Sequence, residues 1–166
     1  MSWNLRYASQ EILDRFSRGL TNFYGTQESP TGNRIVHQAN EDGSGGRFIA
    51  IDAQGNQLGK RRYKFFSGEN NHMHGADITN TSGHPGVGLA LDHATAQHCN
   101  SIGATFNCAV AIPYKTDSPT RPGQKLDAST YHTSVGRLQN PDSLIDARSW
   151  PKETMSSIAQ LPGGPQ

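Results

Sequence analysis

The 166-residue chain is poor in cysteine, with only Cys99 and Cys108 and no CxxC pair. Two thiols cannot build a disulfide framework, so the fold has to rest on a packed core, and both cysteines read as buried thiols. An excess of charge of one sign is also lacking: 15 Lys and Arg stand against 14 Asp and Glu, a formal net charge of +1. No global field steers a polyanion or an anionic membrane to the chain, although the local run GKRRYK at 59–64 is basic. Long apolar runs are missing too. Nothing approaches the roughly 20 apolar residues that span a bilayer, and the opening MSWNLRYASQEILDRF has no continuous signal-peptide core. These absences predict a soluble protein without signal peptide or membrane contact; an effector exported by a dedicated secretion machine fits the same pattern.

What is present is glycine and proline, 18 and nine residues, over a modest apolar fraction of 33% and a mean hydropathy of -0.67. That composition predicts many turns and long ordered loops around a small core. Six Phe, five Tyr and two Trp, with several β-branched runs, argue against disorder. The length fits one domain, 1–166, with 162–166 as a flexible tail.

Ile12, Leu13, Phe16, Leu20 and Phe23 recur at helical spacing, with Ser9 as N-cap and Gly25 as terminator, and predict an amphipathic helix over Ser9 to Tyr24 packed on a sheet. RIVHQA, RFIAIDA and LGKRRYKFF then follow, separated by Gly-rich joints, as a meander of antiparallel strands. Pro85 marks a second, short helix with Val87, Leu91, Ala94 and His98 on one face. ATFNCAVAIPY reads as a central buried strand containing Cys108, and STYHTSVGRL and SLIDARSW as later strands. The expected class is α+β, a single domain with an antiparallel or mixed sheet, an N-terminal helix and a second short helix.

Five of the seven histidines, His72, His74, His84, His93 and His98, lie in a 30-residue stretch. His72 and His74 on a strand share a face, as a chelating pair requires. His93 and His98, five apart on a helix, are about 140° apart around its axis and cannot face one ion, so no metal is expected. A metal-independent ribonuclease would instead use His with Arg or Lys near the scissile phosphate, with Arg61, Arg62, Tyr63 and Lys64 facing RNA. A non-catalytic binding or structural module suits the Gly-rich loops equally.

The order of Arg34 in GNRIVHQAN, then DITNTSG, the helix GVGLALDHATAQHC and the strand FNCAVAIPY resembles the mono-ADP-ribosyltransferases of toxins and effectors. The resemblance implies an enzyme that takes NAD as substrate, cleaves its nicotinamide–ribose bond and modifies a macromolecular acceptor, with an immunity or inhibitor protein as further partner. It assigns Arg34 to the NAD phosphate or ribose, and Thr79, Thr81 and Ser82 to the hydroxyl-bearing strand. No Glu lies between Glu69 and Glu153, so the family's glutamate is absent, and Asp142 is the carboxylate expected to stabilise the transition state, with Asp127 upstream as the other candidate. Tyr131 or Phe66 would flank the nicotinamide, and His72 or His74 would contact phosphate. Catalysis is thus expected from Arg34, Thr81 and Asp142 converging on one pocket.

Overall fold

The computed structural model describes residues 5–66, 69–109, 115–117, 125–127, 132, 134–139 and 147–166. Helix α1 (Leu5–Tyr24) is followed by four strands, β1 (Arg34–Ala39), β2 (Gly45–Ile51), β3 (Gln57–Phe66) and β4 (Glu69–Asn80). Helix α2 (Val87–Ile102) leads into β5 (Thr105–Ala109), then come β6 (Lys115–Asp117), β7 (Lys125–Asp127), β8 (Leu138–Gln139), β9 (Ala147–Ser149) and α3 (Lys152–Ala159). Seven strands form one mixed sheet in the order β1-β2-β3-β4-β5-β9-β8, and β6 with β7 forms a separate two-stranded ribbon. This is the expected α+β domain with a mixed sheet. All ladders are antiparallel except β4–β5, which is parallel because α2 carries the chain back across the sheet.

The meander follows from alternation. On β2 the buried Phe48 and Ala50 flank half-exposed Ile49, and Phe48 stands opposite Arg61 of β3 and His37 of β1. Period two therefore sends Arg61 and Tyr63 to the helix-covered face, where they are 1% and 5% exposed, and sends Arg62 and Lys64 to the other, exposed face. The expected row of Arg61, Arg62, Tyr63 and Lys64 facing one ligand is corrected accordingly.

Helix α1 starts at Leu5, so Ser9 lies inside it and is not its cap. Phe16, Leu20 and Phe23 are fully buried, as the spacing predicts, but the helix packs mainly on α2, which itself lies across β1 to β5. Contact between α1 and α2 is close because Gly19 lacks a side chain: a Cβ there would meet Leu89 Cδ1 at 2.2 Å. The strand ATFNCAVAIPY is central, between β4 and β9, over Thr105–Ala109, with Cys108 buried, and its remaining residues 110–114 lie outside the described ones.

STYHTSVGRL differs from expectation. His132 and Ser134 are helical, 135–136 form a turn, and only Leu138–Gln139 is strand. Gly136 explains this: its φ of +89° takes the chain through a left-handed turn, after which Arg137 is fully buried and held by Asp92 and His132. Helix α3 is an addition to the sequence reading, although Met155 and Ile158 at i, i+3 behind Pro151 carry its signal. The tail LPGGPQ, expected to fray, is tied down: Gln166 exchanges backbone hydrogen bonds with Gly25 and Gln27, and His93 Nε2 donates to the Leu161 carbonyl at 2.9 Å.

Candidate functional site

Among the described residues the parallel pair β4–β5 matches His72 with Thr105 through Gly75 with Cys108, and β4 continues to Asn80. The β3–β4 ladder has an irregularity at the same level: Arg61 pairs with Ile78 but Tyr63 with Gly75, so one extra residue is accommodated on β4 around Ala76 and Asp77. A bulge bends its strand and increases the local twist. Among the described residues no strand pairs with the β5-side edge of 76–80, and Gly75 with Cys108 is the last described pair before it.

At the far end of β4 the chain makes a glycine-rich turn into α2. Asn80 organises it: its Oδ1 accepts from Ser82 N, Ser82 Oγ and Gly83 N at 2.9–3.2 Å, and its Nδ2 donates to the His84 carbonyl at 3.1 Å. His84 Nδ1 donates to the Pro85 carbonyl at 2.9 Å, which leaves Nε2 to accept from Asn33 Nδ2 at 3.3 Å. Asn33, itself buried, also donates to the Phe23 carbonyl at 2.9 Å, so the turn is fixed to the end of α1. Gly86 enters the helix with φ +82°, open to glycine and few others, and a Cβ there would meet the Gly19 carbonyl oxygen at 2.1 Å.

The first turn of α2 has no side-chain cap and no acidic residue, and the first backbone bond into it is Ala90 N to Gly86 O at 2.9 Å. The amides of Val87, Gly88 and Leu89 therefore have no intrahelical acceptor and lie at the positive end of a 16-residue helix. Backbone donors at a helix start that follows a parallel strand suit a phosphate or pyrophosphate.

Beneath Gly75 and Cys108, on the helix side of the sheet, lies a buried ionic cluster. Asp92 of α2 accepts Arg61 Nη2 and Arg137 Nη1, both at 2.9 Å on Oδ1, with Arg137 Nη2 at 3.5 Å from Oδ2. The three side chains are 0–1% exposed. Both guanidiniums lie over the Phe106 ring, 5.4 and 5.6 Å from its centroid, and Arg137 is also 5.0 Å from that of Trp150. Arg137 Nε donates to His132 Nδ1 at 2.8 Å. Burial first, and then the Arg137 charge, push His132 down to about 3, so the imidazole is neutral with its proton on Nε2.

Cys108 Sγ lies 3.5 Å from His132 Nδ1 and 4.0 Å from Nε2, so the thiol packs against the imidazole. Burial raises the Cys108 thiol and pushes Cys99 up to about 12. Neither cysteine is an activated nucleophile.

A second cluster sits further out on the same face. His37 Nε2 is 2.6 Å from the Tyr63 hydroxyl, and the His37 ring stacks on Phe48 at 4.4 Å and meets His98 edge-on at 4.5 Å. Burial lowers both histidines, and His98 lowers His37 further. His98 is thus half-buried among aromatic rings, close to its sequence reading.

The predicted site residues are dispersed. Arg34 is exposed at the start of the edge strand β1, and Thr81 follows β4 with its N and Oγ1 on the Leu58 carbonyl at 3.2 and 3.4 Å. They occupy the same end of the sheet but are separated by three strand spacings, about 14 Å. Thr79 is half-buried on β4, and Ser82 binds Asn80 in the turn. His72 lies on the other face of the sheet with Nδ1 2.5 Å from Thr105 Oγ1, and His74 shares that face. Asp142 and Tyr131 lie outside the described residues, and Asp127 lies in the β6–β7 ribbon. Among the described residues no three His, Cys, Asp or Glu side chains gather as a metal site, and no helix is long and apolar enough to cross a membrane.

No family model matches the chain, and no curated protein does. Similar solved structures include the crystal structure of nourseothricin acetyltransferase, 16% identical at a TM-score of 0.45, covering 78% of this chain and 91% of that one. Another is a tandem GNAT protein from the clavulanic acid biosynthesis pathway, 13% identical at a TM-score of 0.42, covering 85% of this chain and 43% of that one. Neither is an ADP-ribosyltransferase. The toxin-like mono-ADP-ribosyltransferase reading, with NAD as substrate and partner, is corrected on this finding. The resemblance had rested on the order of an Arg, a Ser/Thr-rich strand, a helix and a strand, an order that many α+β domains share. Sequence reasoning missed Asn80, Gly86 and the ionic cluster; GHPGVG directly after a strand was the available signal for the first two, while buried arginines leave none.

Proposed function

We propose that the chain is an acyltransferase that takes its acyl group from a coenzyme A thioester and passes it to a nucleophile on an acceptor. The single observation that carries this reading is the uncapped, acid-free start of α2 after the β4 edge at 76–80, on which no described strand pairs. A CoA thioester has two recognition elements in that order, a pyrophosphate and an amide-bearing arm. The pyrophosphate suits the Val87–Leu89 amides. The arm suits the unpaired edge of 76–80, where its amides add to the sheet as an extra strand does. That delivers the thioester toward Gly75 and Cys108, where the attacking nucleophile forms the new acyl bond, the C–S bond breaks, and the thiolate takes up a proton. An elongated donor of this kind suits that edge better than a dinucleotide such as NAD, which offers one ring carboxamide and no amide-bearing chain.

The test is calorimetric titration with CoA and, separately, NAD, on the wild type and on Gly88→Glu. The substitution puts a carboxylate into the first turn of α2, where it favours the helix but repels a phosphate. The wild type is expected to bind CoA and not NAD, and the variant to keep its melting temperature and lose CoA affinity at least tenfold. Equal CoA binding by both proteins, or none by the wild type, would overturn the reading.

A further inference from the structure

β1 is an outer strand of the seven-stranded sheet, and among the described residues no strand pairs with its outer side. The bonds of its hairpin fix which backbone groups point outward. Asn40 N donates to the Gly45 carbonyl at 2.8 Å, in the same register that pairs Ala39 with Gly46 and Arg34 with Ile51. Bonded pairs alternate along an antiparallel ladder, so Gln38, Val36 and Arg34 turn their N–H and C=O groups to β2. Those of Ile35, His37 and Ala39 therefore face away from the sheet. β2 agrees from its other side: Phe65 N donates to the Ser44 carbonyl, so residues bonded to β3 alternate with those bonded to β1.

This edge lacks the devices that keep strand edges from pairing. RIVHQA has no proline and no lysine, its ladder with β2 has no bulge, and Arg34, His37, Gln38 and Ala39 are exposed. The His37 ring does not cover the edge, because it stacks on Phe48 at 4.4 Å with Nε2 2.6 Å from the Tyr63 hydroxyl and so leans over β2. Charge is arranged along the strand with opposite signs at its two ends. Arg34 begins it, and the turn that follows carries the exposed Glu41 and Asp42.

We infer that β1 pairs with β1 of a second copy of this chain, antiparallel about a two-fold axis at His37. In that register His37 faces its own copy and Ile35 faces Ala39, and each of these residues exchanges both backbone bonds with its partner. A register shifted along the strand leaves some of those groups unpaired. The antiparallel direction also lays Arg34 of each copy beside the Glu41 end of the other, an opposite-charge contact made twice by symmetry. The sheet's other outer strand, β8, is only Leu138–Gln139 and offers too little edge for head-to-tail growth, so the assembly closes as a dimer. The pairing does not depend on the acyltransferase reading.

Sedimentation equilibrium over a range of concentrations tests it, with circular dichroism and the melting temperature as checks on folding. The wild type is expected at about twice the 18.0 kDa of one chain. Ala39→Pro removes an outward N–H that the hairpin does not use, so this variant is expected to keep its fold and run as a monomer. Arg34→Glu is expected to weaken the dimer about tenfold, and adding Glu41→Arg to restore it, because the exchange puts opposite charges across the pair again. A wild type that stays monomeric at every concentration would overturn the inference. So would a dimer that Ala39→Pro leaves intact, or a loss in Arg34→Glu that the double exchange does not recover. Should Ala39→Pro fail to fold, the charge exchange, which alters exposed side chains alone, decides the question.

Discussion

Arg61 and Arg62 are neighbours on β3 and have opposite fates. Arg61 is buried under α2, bonded to Asp92 and stacked on Phe106, while Arg62 is exposed on the other face. The strand's period of two makes that difference, and it teaches that a basic run cannot be read as a charged surface until its alternation is known. The same contrast divides the sheet. On the helix side lie Phe48, Met73, Phe106 and the ionic cluster, and on the other Arg47, Lys60 and Lys64 with His72 and His74.

Substitutions should break the two faces unequally. The largest effect is expected from Asp92→Ala, which strips the carboxylate from two buried guanidiniums; such a loss costs about 3 to 5 kcal/mol and should appear in urea unfolding as a lower midpoint at unchanged slope. Phe16→Ala, in the fully buried face of α1, is expected to cost about 3 to 4 kcal/mol. Asn33→Ala, which removes the His84 ring's partner and one of two donors to the Phe23 carbonyl, Thr31 Oγ1 staying in place, is expected to cost about 1 to 2 kcal/mol. Arg62→Gln, on the exposed face, should stay within about 0.5 kcal/mol. If Arg62→Gln destabilised as much as Asp92→Ala, the division into faces would be wrong.

Acid sharpens the comparison. His132, His93, His98 and His37 all titrate below their ordinary value, with burial the leading cause in each. The unfolded chain then binds protons more readily than the folded one once pH falls below about 6.5, so stability is full above that pH and is lost on acidification. For His132 the loss continues down to about 3. Unfolding free energies measured from pH 7.5 to 5 should fall, and fall less steeply in His132→Asn. A flat profile would contradict the burial of these rings.

Much of the fold was legible because its signals are local. The Ile12-to-Phe23 stripe gives α1, Gly-rich joints give the meander, and the run around Cys108 gives the central strand. The site was less legible. It involves a bulge in β4, which leaves no composition signal, and a parallel β4–β5 pairing between strands that α2 separates in sequence. The cluster joins β3, α2 and the turn before β8, so Arg61, Asp92 and Arg137 are 31 and 45 residues apart and each looks like an ordinary surface charge in sequence. Arg34, by contrast, reads as a functional arginine only while its distance from Thr81 across the sheet is unknown.

The central claim is that the edge of β4 beyond Gly75 and the start of α2 together hold a CoA thioester. Amide hydrogen exchange with and without CoA tests it at the residues concerned. The account predicts slower exchange on CoA addition in 76–80 and 87–89, with β1 and β2 unchanged. Unaltered exchange in both segments at saturating CoA, or protection confined to β1 and β2, would contradict it.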